Sequence, residues 1–68
     1  MNPKLNPIEK KCINIEHNRD NKYSLDNWYT LEVSKKEAIT VENHLKDIQA
    51  SFFSTFNCYG HVVFEVYL

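Results

Sequence analysis

The sequence predicts a small α+β domain of order β-β-α-β, a three-stranded, mainly antiparallel sheet with one amphipathic helix on one face. Three observations carry this. Apolar residues recur at spacings of three and four through residues 34–56, at Ala38, Val41, Leu45, Ile48, Phe52 and Phe56, which is the helical period. Three other stretches alternate apolar and polar residues at the strand period. At 68 residues the chain has room for one domain, and one helix layer covers one face of such a sheet and no more.

Taken in order, residues 1–9 hold Pro3 and Pro7 and little periodicity, so they read as an extended arm that Leu5 and Ile8 pin to the body. Residues 12–17 alternate, with Ile13 and Ile15 inward and Cys12, Asn14 and Glu16 outward. Residues 18–27 are rich in Asn, Asp and Ser, side chains that bond their own backbone and favour turns, and read as a loop. In 28–33, Tyr29, Leu31 and Val33 face inward and Trp28, Thr30 and Glu32 outward, a second strand antiparallel to the first.

This strand runs into Ser34, which with Glu37 three residues later forms a capping-box pattern and sets the helix start. A rival start at Thr40 ranks second, because Ala38 and Val41 already keep the helical period. Glu42 and Lys46 sit four apart in the favourable order, and Asn57 and Gly60 tolerate the left-handed backbone that ends helices. Residues 61–68 then form the third strand, with Val62, Phe64, Val66 and Leu68 on one face and Val63, Glu65 and Tyr67 on the other. Being the most apolar, it belongs at the centre. The helical crossover leaves it running in the direction of the second strand.

Composition bounds the function. Hydrophobic residues make up 43% and aromatics 13%, which suits a folded globule. Eight Lys and Arg against nine Asp and Glu give a net charge of -1, so no basic field gathers phosphates, and nucleic acid is disfavoured as a partner. The start of the chain lacks an apolar signal region and no apolar run approaches the roughly 18 residues of a membrane span, so the expected setting is cytoplasmic, away from membranes. Two cysteines are too few for a secreted disulfide scaffold and are expected to stay reduced. The scarcity of Arg beside Lys and the frequent Asn hint at an AT-rich genome.

A helix on one face leaves the other face open. That face is expected to carry Glu16, Glu32 and Glu65, one per strand, with Trp28, Val63 and Tyr67. Large rigid aromatics mixed with charge suit a protein-binding surface, and three carboxylates suit a basic partner while repelling RNA phosphate. The bland alternative is an ordinary solvated sheet face. A second candidate patch, Ile39 and Phe53 with Ala50, falls on the helix away from its main stripe, to be covered by the N-terminal arm or by another chain.

Metal and catalytic chemistry have weaker support. Cys58 and His61 form a Cys-x-x-His pair that suits zinc, but Cys12 and His17 have opposite strand parity and so cannot supply the other half; no metal or cofactor is expected. A Cys and His pair without an orienting third group makes no convincing nucleophile, His44 reads as a boundary residue, and one glycine allows no phosphate loop, so no enzyme is expected. The leading reading is a small non-catalytic protein-binding module, of the kind phages and mobile elements encode as inhibitors, that occludes a basic surface on a nucleic-acid-handling or host-defence complex. A self-assembling, homo-oligomeric structural protein is the alternative, and an RNA-binding sheet ranks third.

Overall fold

The computed structural model describes residues 2–20 and 25–68. It is a small α+β fold in two layers. A 3-10 helix over Pro3–Lys11 leads into strand β1 (Cys12–Asp20), followed by β2 (Leu25–Val33), helix α1 (Lys35–Asp47), β3 (Ser51–Phe56) and β4 (Val62–Tyr67). The sheet has four strands in the order β1-β2-β4-β3, and every neighbouring pair is antiparallel. The most apolar strand, β4, is interior as expected. Among the described residues no helix is long and apolar enough to cross a membrane.

The core lies on one side of the sheet. Tyr29, Leu31, Val33, Val62, Phe64 and Val66 from the two central strands meet Val41 and Leu45 of α1 and Leu5 and Ile8 of the 3-10 helix. The helical stripe therefore holds through Val41 and Leu45, with Ala38 and Ile48 packed at its margins. The arm is helical rather than extended. Asn2 caps it, its Oδ1 accepting from the Lys4 N–H at 2.9 Å, and Pro3 occupies a first-turn position that needs no N–H donor. Two contacts tie this segment down: the Asn2 N–H donates to the Tyr29 hydroxyl at 2.9 Å, and His44 Nε2 lies 2.6 Å from the Lys4 carbonyl oxygen.

The main correction concerns residues 34–56. The helix ends at Asp47, and the last six residues of the expected helix form β3. What stops it is a Schellman turn on a residue other than glycine. Gln49 takes φ 59°, its N–H bonds the Lys46 carbonyl and the Ala50 N–H bonds the Leu45 carbonyl. Phe56, expected in the core, is 70% exposed on the sheet edge, while Phe52 packs partly against the core with its ring edge-on to Phe64 at 5.9 Å.

Gly60 ends no helix. At φ 76° it closes the β3–β4 hairpin, where its N–H bonds the Asn57 carbonyl and the Asn57 N–H bonds the His61 carbonyl. The extra strand also overturns the expected direction of the last one. The strand that follows the helix, β3, runs in the direction of β2 as a helical crossover requires, and the hairpin then sends β4 back between them.

Three smaller corrections follow from local chemistry. Ser34 sits at the N-cap with extended backbone, yet its side chain makes no capping bond: the Glu37 N–H donates to the Ser34 carbonyl at 3.0 Å, and the Glu37 carboxylate, the other half of the expected box, lies 3.5 Å from Lys11. The Glu42–Lys46 pair forms, at 3.8 Å. In β1 the register shifts between Cys12 and Asn14, leaving Ile13 unpaired and 54% exposed rather than inward. The expected loop over 18–27 is narrower than read, since β1 extends to Asp20 and β2 begins at Leu25; its remainder lies outside the described residues.

These assignments separate cleanly by mutation. Leu45→Ala removes a fully buried side chain and is expected to cost about 2 to 5 kcal/mol, whereas Phe56→Ala should change stability by no more than about 0.5 kcal/mol. Denaturant unfolding of the two variants checks this. A large loss for Phe56→Ala, measured at a dilution where the chain is monomeric, would put that side chain back in the core.

Candidate functional site: the open sheet face

The register of the four strands puts alternate residues on the side away from the helices. One row across the sheet is Asn14, Glu32, Val63 and Thr55; the next is Glu16, Thr30, Glu65 and Phe53; the last is Asn18, Trp28, Tyr67 and Ser51. All six residues expected on the open face, Glu16, Trp28, Glu32, Val63, Glu65 and Tyr67, are thus brought together. Each is half-buried or exposed, and among the described residues no element packs over them. The second expected patch does not survive. Ile39 is exposed on α1, whereas Phe53, 53% exposed, pairs with Glu65 on the sheet, because the two residues belong to different elements once the helix stops at Asp47.

The polar side chains of this face are held by one another. Thr30 Oγ1 donates to Glu65 Oε2 at 2.8 Å and accepts from Asn18 Nδ2 at 2.8 Å, a relay across β1, β2 and β4. Glu32 Oε2 takes a bond from Asn57 Nδ2 at 2.7 Å and stands 2.6 Å from His61 Nδ1, which places the ring proton on Nδ1 because a carboxylate can only accept. Asn57 is itself fixed, its Oδ1 accepting from the Tyr59 and His61 N–H groups at 2.9 and 3.0 Å. These bonds, that from His61 foremost and then that from Asn57, hold the Glu32 carboxyl below its ordinary pKa. Trp28 stacks on Tyr67 with ring centroids 6.3 Å apart and planes 21° from parallel, a two-ring platform at one end of the face.

Charge divides between the layers. The 3-10 helix and α1 carry six lysines, Lys4, Lys10, Lys11, Lys35, Lys36 and Lys46, against the four carboxylates Glu9, Glu37, Glu42 and Asp47. The open face carries Glu16, Glu32 and Glu65, and among its described side chains no lysine or arginine. A near-neutral chain therefore presents one acidic surface.

The cysteine and histidine residues are arranged otherwise than expected. The register shift at Ile13 puts Cys12 opposite Val33 and His17 opposite Tyr29, on the same face of the sheet, so the parity argument that separated them is wrong. His17 stacks on Tyr29 at 4.5 Å. Cys12 Sγ lies 3.4 Å from the Ile8 carbonyl, and burial, with the nearby Glu9 charge, pushes its thiol up to about 11. Cys58 is exposed in the β3–β4 hairpin. Among the described residues no three His, Cys, Asp or Glu side chains gather in a way that could hold a metal ion.

Sequence reading missed Asn57 and His61 as holders of Glu32, and Phe53 and Thr55 as members of the face. All four depend on the β3–β4 hairpin. The available signal was the run Ser51 to Phe56, six residues that are poor helix formers and, at Phe and Thr, good strand formers, followed by Asn-x-x-Gly. No family model, curated protein or solved structure matches the chain, so the site is read from its own geometry.

The Glu32 cluster makes stability pH-dependent in a defined sense. Its native pKa lies below the unfolded one, so its stabilisation is present above an unfolded value of about 4.3 and is lost as pH falls through the depressed native value. Glu32→Gln should flatten the acid side of the curve of unfolding midpoint against pH. Parallel curves for wild type and variant would show that the cluster is not formed in solution.

Proposed function

We propose that the chain is a small non-catalytic protein-binding module whose open sheet face occupies a basic surface of another protein, as an inhibitor does. The observation that carries this reading is the Trp28–Tyr67 platform lying beside the carboxylates of Glu16, Glu32 and Glu65 on a face without Lys or Arg among its described side chains. Interface energy concentrates in a few rigid aromatics, while surrounding charge steers the encounter and selects the partner's sign. Holding Glu32 and Glu65 by hydrogen bonds lowers the entropy they lose on contact.

A phosphate backbone would meet repulsion on this face, which supports a basic protein, such as a nucleic-acid-handling or host-defence complex, over RNA. The groups with the most chemical potential are engaged in the fold: His61 against Glu32, and Cys12 under burial. A reducing, cytoplasmic setting suits the two free thiols.

Capture of the partner by pull-down, followed by binding kinetics, tests the reading. Trp28→Ala is expected to weaken binding by about 2 kcal/mol or more through faster dissociation, and Glu16→Gln to slow association and reduce its salt dependence. Circular dichroism serves as the folding control. Wild-type binding by a folded Trp28→Ala variant would remove the sheet face from consideration.

A further inference from the structure

The two edges of the sheet are built differently. Edge strands invite pairing by other strands, and proteins block this with bulges, charges or proline. Strand β1 follows that practice, with register shifts between Cys12 and Asn14 and between Asn18 and Asp20, and with the charged Glu16 between them. Strand β3 itself carries none of these devices, although the Lys35 ammonium of α1 lies 5.8 Å from the Phe56 ring centroid. Ser51, Phe52, Phe53, Ser54, Thr55 and Phe56 include no charge and no proline, and they pair with β4 in unbroken register at all six positions. Phe53 and Phe56 stand exposed on it.

The direction of its free backbone groups is fixed by the hairpin. Asn57 and His61 face each other and exchange the bond from the Asn57 N–H to the His61 carbonyl. In an antiparallel ladder bonding alternates, so Thr55, Phe53 and Ser51 turn their backbone groups to β4, and Phe56, Ser54 and Phe52 turn theirs to the open edge.

We propose that β3 pairs antiparallel with β3 of a second copy, about a two-fold axis through Ser54. The pairing is self-complementary. Ser54 faces Ser54 of the second copy, Phe52 faces its Phe56, and Phe53 faces its Thr55, with each residue keeping its own side of the sheet. The three residues whose N–H and C=O groups are free all gain partners, aromatic meets aromatic on the helix side, and no like charges are brought together, since the strand has none. Two four-stranded sheets then continue into one, and the acidic faces of both copies lie on the same side, where they double the surface available to a partner. This inference is independent of what that face binds.

Light scattering coupled to size exclusion, run on the full chain over a dilution series, reads the outcome. Wild type is expected to be a dimer that dissociates on dilution. Ser54→Pro, which removes only an edge-facing N–H, and Ser54→Lys, which places a charge at the axis, are expected to be folded monomers at concentrations where wild type is dimeric. In a Cys58→Ser background, Ser54→Cys should form an intermolecular disulfide on mild oxidation, because facing Cα atoms in a hydrogen-bonded pair lie about 5.5 Å apart, within disulfide reach. A monomeric wild type throughout, a dimer that persists in both folded Ser54 variants, or a dimer in which Ser54→Cys does not cross-link would each overturn the proposal.

Discussion

One-sided burial governs this molecule. A single α-helix and one 3-10 helix supply all the cover that the described residues give to a four-stranded sheet, so Leu5, Ile8, Val41 and Leu45 must seal one face of β2 and β4. Among the described residues the other face meets solvent with polar and aromatic side chains and Val63. Its composition follows from that constraint, because residues directed there were freed from core packing and could be charged. The hydrogen-bonded pairs across it, Thr30 with Glu65 and Glu32 with Asn57 and His61, are the order that an uncovered face can still maintain.

The same constraint explains what sequence reading recovers and what it loses. Strand parity in β2 and β4 is legible because it alternates against a dry core, and it places Trp28, Glu32, Val63, Glu65 and Tyr67 on one face before any coordinates are known. Val41 and Leu45 are legible from the helical period against the same core, and Leu5 and Ile8 as apolar residues in an arm that otherwise lacks periodicity. The fourth strand is not. Phe52 and Phe56 fit a helical period extended from Leu45 and an alternating strand equally well, since positions four apart satisfy both. The residue that decides between them, Gln49 at positive φ, carries no local signature, because the left-handed cap there is stabilised by bonds to Lys46 and Leu45 rather than by a glycine. The register shift at Ile13 is hidden in the same way, and with it the shared face of Cys12 and His17.

Separation of charge between layers gives the two faces different prospects. Lysines on the helices, tempered by Lys11–Glu37 and Lys46–Glu42 contacts, keep that surface mixed and solvated. Among its described side chains the sheet face has no such mixture. Its carboxylates sum over a flat surface, so a partner would sense them together at distances within a Debye length, roughly 8 Å at physiological salt. Net charge, read from composition, conceals this, since -1 is the sum of two unlike surfaces.

The claim on which the functional account stands is that Trp28 lies on an accessible, acidic face. Trp28 is the single tryptophan of the chain, so its fluorescence reports that face alone. Collisional quenching of the native protein at low ionic strength, with neutral acrylamide, cationic caesium and anionic iodide, measures access and local charge together. The account predicts clear quenching by acrylamide and stronger quenching by caesium than by iodide, a difference that closes as salt is added. Blue-shifted emission that resists all three quenchers, or iodide more effective than caesium, would contradict it.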